Sequence, residues 1–200
     1  MLPGPAPGAR RSDMEKIQIP NQAPSTPMSV VIAGALVKGK ENYLTIGAYG
    51  VMSMQPPLIY ISSMKTHFTN AGIKETGYFS INVPPAALIK ETDYCGLVSG
   101  RDTDKSRVFT GFYGKEKHAP MIQECPVNAV CKVVKTVELP NNEVFIGEVV
   151  EYYVDTLCLT DNTPDPKKID PLLLAGRSYR KLGGVAGTAF SVGKSLMKKS

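Results

Sequence analysis

The sequence predicts a mainly β fold, an antiparallel barrel with short helices inserted between its strands. Three observations carry that expectation. Segments rich in β-branched and aromatic residues recur at 28–37, 42–49, 58–62, 78–83, 127–139 and 144–154. The helical stretches between them do not follow every strand, which argues against a doubly wound parallel sheet. Glycine (18) and proline (16) are frequent enough in 200 residues to disfavour a helical bundle.

Each element has a local reason. Residues 28–37 are a β-branched run, and Gly34 within it marks a bulge or the close approach of a ligand. Residues 38–41 read as a hairpin turn into the returning strand at 42–49. Gln55, Pro56 and Pro57 interrupt the chain before the short buried strand at 58–62. A helix follows, with Thr66 as its N-cap, Phe68, Ala71 and Ile73 on its buried face and Gly77 as its stop. After the strand at 78–83, Pro84 and Pro85 open a second helix through 86–94. The polar stretch 99–105 leads to a short third helix. The last third is a long hairpin that turns at Asn141 and Asn142, followed by a loop at 161–170.

The domain organisation is simple. Residues 1–13 are Pro/Gly-rich, lack the apolar core of a signal peptide and read as a disordered leader or tag remnant. Residues 14–184 form the one folded domain. Residues 185–200, weakly amphipathic and ending in Lys-Lys-Ser, are a tail or short helix.

Composition removes several classes of function. With 42% hydrophobic and 20% charged residues, the chain is an ordinary globular one. A net charge of +5 with no dense basic block before the last residues does not indicate a nucleic-acid partner. The same mild basicity suits a ligand that carries phosphate. No segment approaches the roughly 20 apolar residues of a bilayer span, so no membrane partner is expected. Cys95, Cys125, Cys131 and Cys158 form no CxxC pair and read as buried free thiols in a reducing cytoplasm. On one extended strand, Cys125 and Cys131 would share a face. His67 and His118 are too few and too separate for a metal site. No GxGxxG after a strand, P-loop, HExxH or GxSxG is present, so hydrolysis and metal chemistry lack support.

Three segments gather chemistry. Ser62, Ser63, Lys65, Thr66 and Thr69 fall where a strand gives way to a helix. Hydroxyls, a lysine and the free amides of a helix start make a phosphate cradle, or else a plain cap with a solvated lysine. The strand from Asn42 to Gly50 has small side chains at Thr45, Gly47, Ala48 and Gly50. It can lay a flat ring on exposed backbone, or let another element pack closely. Ser99 to Lys105 brings two cations onto a glycine loop that closes over an anion or is simply solvated.

Taken together and in order, these segments resemble the flavin reductase-like, FMN-binding split-barrel family, in its flavoredoxin branch. The motifs are Asn42-x-x-Thr45, Pro56-Pro57-Leu58, the helix start from Lys65 to Thr69, and Gly77-x-Phe79-x-x-Asn82. Cys95-Gly96 and Ser99-Gly100-Arg101-Asp102-x-Asp104-Lys105 follow. Glu124-Cys125-Pro126-Val127, Ile146-Gly147-Glu148-Val149 and Arg177-x-Tyr179 complete the series. With the apolar strand that Pro27 opens and the Leu182-Gly183 that closes the last motif, the match runs from Pro27 to Gly183. The chain departs from the pattern in having Tyr49, and no Trp at all, where the family's aromatic is commonly Trp, and in its extension beyond Gly184.

The resemblance implies a six-stranded antiparallel Greek-key split barrel, usually a homodimer with FMN near the subunit interface. It implies that Asn42, Thr45, Ile46, Gly47 and Ala48 meet the flavin ring, largely through main-chain groups. Ser62, Ser63, Lys65 and Thr69 then hold ribityl and phosphate oxygens, and Lys105 adds charge. The implied activity is an NAD(P)H:flavin reductase or flavoredoxin-like electron carrier, in which NADH or NADPH reduces the flavin and an electron acceptor reoxidises it. The alternatives are an FMN- or haem-binding carrier without NAD(P)H turnover and the reductase component of a two-component monooxygenase.

Overall fold

The computed structural model describes residues 16–23 and 26–197. The leader expected at 1–13 lies outside the described residues. Seven strands make the principal sheet: β1 (Val31–Val37), β2 (Lys40–Ile46), β3 (Tyr49–Met54), β4 (Pro57–Met64), β5 (Tyr78–Val83), β6 (Val127–Glu138) and β7 (Asn142–Val154). All neighbours are antiparallel, in the order β2-β1-β5-β6-β7-β4-β3.

That order dictates the shape. β2 and β3 stand at opposite edges of the sheet, yet only Gly47 and Ala48 separate them in sequence. Two linking residues span at most about 11 Å. Laid flat, seven strands at about 4.8 Å spacing would put those edges roughly 29 Å apart. The sheet must therefore curl until its edges meet, which is a barrel. Ser62 N donates to Ala48 O at 2.8 Å, which carries the β3–β4 ladder up to the link itself. The mainly β, antiparallel expectation holds. The sheet has seven strands rather than six because the run that reads as one strand at 42–49 turns at Gly47–Ala48, and its continuation pairs with β4 instead.

Alternation fills the barrel. Val31, Ala33 and Ala35, Leu44 and Ile46, Ile59 and Ile61, Phe79 and Ile81, Ala129 and Cys131, and Phe145 all point inward. β1 is buried on its other face too, where Ile32 joins Tyr43, Cys95, Phe109, Ile122 and Cys125. That explains its unbroken apolar run. Cys125 precedes β6 while Cys131 lies within it, so the two thiols occupy different clusters and do not share a strand face. The segment covering β1 is pinned by Asn82, whose Oδ1 accepts from Ile122 N (2.9 Å) and Asn128 Nδ2 (2.8 Å). The long β6–β7 hairpin carries register shifts at Ile146/Gly147 and Val149/Glu151, which bend it around the barrel.

The helices are α1 (Thr69–Thr76), α2 (Ile89–Leu97) and α3 (Pro166–Ile169). α1 ends at Gly77 with a left-handed backbone, as expected. Its buried side chains are Thr69, Asn70 and Ile73 with Gly72, whereas Ala71 is exposed and Phe68 half-buried. The close packing of Gly72 on the Leu36 carbonyl rotates that face inward. α2 starts later than expected, because Pro85 opens a 3-10 turn, Ala86–Leu88, before the α-helix. No third helix follows 99–105, where backbone amides turn back onto Ser99 O instead. α3 forms inside the stretch read as a loop, capped by Asp165 with Pro166 in its first turn. The C-terminal stretch contains a short exposed 3-10 turn, Val192–Leu196.

Gly34 marks neither a bulge nor the approach of a ligand: the protein's own backbone and Ser80 pack against it. A Cβ there would overlap the Pro120 carbonyl oxygen and Ser80 Oγ. Gly34→Ala is expected to lower unfolding free energy by about 1–3 kcal/mol. Urea titration followed by circular dichroism checks this, and an unchanged midpoint would contradict the packing.

Candidate functional site

The chain leaves β4 at Met64 and turns before entering α1, with His67 N donating to Met64 O at 2.9 Å. This turn carries the chain past Thr66, so the N-cap position is Phe68 and no side chain caps it. Thr66, the expected cap, is exposed. The first-turn amides of Asn70 and Ala71 instead donate to His67 O and Phe68 O, each at 3.3 Å.

α2 approaches from the other side, packed on β2. Thr45 Oγ1 donates to the Thr92 carbonyl, and Gly96 rests on Thr45. The segment after α2 turns back through Ser99, with Asp102 N and Thr103 N both donating to Ser99 O (3.1 and 3.0 Å). Gly100 lies so close to Asn42 and Phe68 that a side chain there would overlap Asn42 Oδ1. Asn42 is fixed in turn, its Nδ2 donating to Thr69 Oγ1 at 2.7 Å. The loop ends at Lys105, whose Nζ donates to the carbonyls of Cys95 and Val98, each at 3.1 Å.

Between the start of α1, the end of α2 and this loop lies a cleft of about 330 Å³, walled by Leu44, His67, Thr69, Gly96, Arg101 and Lys105. A second hollow of about 380 Å³, bordered by Lys38, Lys40 and Asn42, adjoins it across the same loop. Lys105 is only 2% exposed. Among the described residues no carboxylate forms an ion pair with it. Burial holds its ammonium below the usual lysine range.

Of the residues singled out in the sequence, Asn42, Thr69 and Lys105 come together here. Ser63 is buried behind them, and its hydroxyl donates to Asn70 Oδ1 at 2.6 Å. Thr45 backs the cleft through α2, while Ile46 points into the barrel core. Gly47 and Ala48 form the strand link. Ser62 is half-buried, and its Oγ accepts from Asn142 Nδ2 at 3.2 Å. Lys65 is directed away from the cleft into an ion pair with Glu138 at 3.4 Å.

Sequence reading missed a second layer. Asn70 Nδ2 donates to Met64 O (3.0 Å) and to Glu143 Oε2 (2.9 Å). Glu143, 3% exposed, also pairs with Lys74. His67 Nδ1 lies 2.9 Å from Ser63 Oγ. A buried carboxylate at the start of β7 leaves no spacing signal, since its partners lie about seventy residues away. His67, next to Phe68 in the helix-start segment, carried no local sign of this contact with Ser63.

The cysteines stay out of this chemistry. Burial pushes the Cys95 thiol up to about 11, against a smaller opposing pull from Lys105. Burial also raises Cys125, with Glu124 adding to it, and Cys131. Among the described residues no His/Cys/Asp/Glu group could hold a metal ion, and no helix is long and apolar enough to cross a membrane.

With this geometry in place, comparison with known proteins is decisive about kinship. Residues 23–183 match the family model described as "Flavin reductase like domain". The chain belongs to the flavin reductase-like family. It is 46% identical to a flavoredoxin from Methanosarcina acetivorans, with a TM-score of 0.90 over 92% of this chain and 100% of that one. A flavoredoxin of Desulfovibrio vulgaris (Miyazaki F) is 31% identical, with a TM-score of 0.83 over 90% of this chain and 100% of the other. An uncharacterized protein of Archaeoglobus fulgidus is 32% identical over 113 residues, 56% of this chain and 64% of that protein's length. The chain thus spans under two thirds of that relative.

The burial of the thiols is checked with Ellman's reagent at about pH 8. Cys95, Cys125 and Cys131 are expected to stay unmodified in the native protein and to react once it is denatured. Rapid native labelling of any of the three would contradict their placement.

Proposed function

We propose that the cleft holds the phosphate end of FMN and that the protein is a flavin-dependent oxidoreductase, an NAD(P)H:flavin reductase or flavoredoxin-like electron carrier. The observation that carries the reading is Lys105, a buried cation in the cleft wall that forms no carboxylate ion pair among the described residues. An ammonium has three donors. Two meet the carbonyls at the end of α2, which leaves the third and the net charge for an anion. The Thr69 hydroxyl, which accepts from Asn42 and keeps its own proton, supplies a further donor from the opposite wall.

Family membership supports flavin as the ligand that carries this phosphate. β2 is an edge strand, so one side of its backbone from Asn42 to Ile46 has no strand partner. Those free groups suit the polar rim of the ring, with Gly47 and Ala48 beyond it too small to obstruct. When bound, the flavin supplies hydride acceptance from NADH or NADPH and electron delivery to an acceptor. The protein's own part is to bind and orient. Thr45, committed to Thr92, fixes α2 against β2 and so sets the cleft's width. Asn42, locked by Thr69, supports the loop that carries Lys105. No side-chain acid–base pair is required.

A second copy of the chain completes the proposal. At one end of the barrel a hollow of about 590 Å³ is lined by Tyr49, Val51, Met54, Ile59, Val83 and Val150 among others. Met54 is 83% exposed and Val51 60%, an apolar surface that the homodimer expected of the family would cover. Met54→Asp is expected to turn a dimer into a monomer in sedimentation velocity. A wild-type monomer at micromolar concentration would remove this part.

The first test is a visible spectrum of the protein with added FMN, then NADH or NADPH under nitrogen. Flavin bands that bleach on adding the nicotinamide establish the reductase. Bands that persist with both donors point to a carrier reduced by a partner. Absence of FMN binding overturns the reading. Lys105→Met is expected to weaken FMN about tenfold or more, the scale of one charge-assisted hydrogen bond, and riboflavin much less. Lys65→Met, its lysine already paired with Glu138, is expected to change FMN affinity far less. Equal losses for FMN and riboflavin in Lys105→Met would remove Lys105 from the phosphate site.

A further inference from the structure

Four side chains in series fix the protonation pattern of His67. Asn70 Nδ2 faces Met64 O and Glu143 Oε2, both acceptors only, so the amide can point one way. Its Oδ1 therefore faces Ser63 and takes that hydroxyl's single proton at 2.6 Å. Ser63 Oγ then has only lone pairs to offer His67, 2.9 Å away, so the proton of that bond belongs to His67 Nδ1. In the neutral imidazole, Nε2 is left bare. No protein group among the described residues hydrogen-bonds it, and the ring lines the cleft that holds Lys105.

We propose that His67 is a proton-linked anchor for the ligand's phosphate: Nε2 is an unprotonated acceptor while the cleft is empty and becomes an N–H donor bearing positive charge when a phosphate monoester enters. The proposal rests on the reading of the cleft as a phosphate site and adds a residue and a pH dependence to it. The charged groups around His67 are Lys105, Arg101 and Asp102 on the loop wall, and Glu143 with its partner Lys74 behind Asn70. Lys65, on the same turn as His67, is directed to Glu138. Burial first, and the Lys105 charge second, keep the empty site's imidazole below the ordinary histidine range. An entering dianion offsets both influences: its charge counters that of Lys105, and its oxygen accepts from Nε2–H and so stabilises the protonated ring against its burial. Its binding then takes up a proton, so affinity rises as pH falls toward the empty-site pKa and levels off below it.

The test needs no activity assay. FMN and riboflavin are titrated by flavin fluorescence against wild type, His67→Gln and Lys105→Met between about pH 5 and 8. The ratio of wild-type to His67→Gln affinity removes the phosphate's own titration. For FMN that ratio is expected to rise as pH falls, about tenfold for each unit by which the phosphate raises the His67 pKa. For riboflavin it should stay flat. In the ligand-free wild type, ¹⁵N spectra of the two imidazoles, assigned with His118→Gln, should show His67 as the Nδ1–H tautomer. FMN that binds more tightly than riboflavin, with wild type and His67→Gln tracking each other at every pH, would overturn the anchor and leave the phosphate site standing. An Nε2–H tautomer in the free protein would overturn it as well. FMN no tighter than riboflavin, with Lys105→Met indifferent, would remove the phosphate reading and the anchor together.

Discussion

The two-residue link between β2 and β3 is the constraint on which the remaining architecture depends. Because Gly47 and Ala48 join strands at opposite edges of the sheet order, the sheet has no open form consistent with the chain. Closure in turn gives each strand an inner face, which the alternating apolar residues fill. It also directs the outer faces of β1 and β2 toward the helices and the loop segment, where a second cluster forms around Tyr43 and Ile32. The cleft lies where these outer layers meet. The barrel is the scaffold, and the polar chemistry sits on the elements wrapped around it, as is usual for binding sites on rigid frames.

Much of the fold was legible because strands in this chain announce themselves locally. The strand at Tyr78–Val83 was readable to the residue, and the long final hairpin to within a few. What misled was context. Thr66 has the chemistry of a cap, but a tight turn at Met64–His67 delays the helix until Phe68. The stretch around Pro166 looked like a loop, although Asp165 and Pro166 are together a helix start. The link at Gly47–Ala48 was hidden inside what read as one strand, since its small residues fit either description.

The site divides along the same line. Asn42, Thr69 and Lys105 could be singled out because their residue types sit in short, unusual segments. Of the layer behind them, only Ser63 could. Ser63, Asn70 and Glu143 meet only because β4, α1 and β7 are adjacent in the barrel, with Asn70 and Glu143 seventy-three residues apart in sequence. A reading confined to local pattern has no access to such a pair.

The double carbonyl grip on Lys105 has a kinetic and entropic meaning. A free lysine side chain loses on the order of 1.5–2 kcal/mol of rotamer entropy when it is immobilised. Here the immobilisation occurs as α2 and its following loop fold, because the Cys95 and Val98 carbonyls hold the ammonium with no ligand present. An incoming anion meets a preorganised charge and need not recruit a mobile one. Such a cleft can exchange its occupant without rearranging its principal cation.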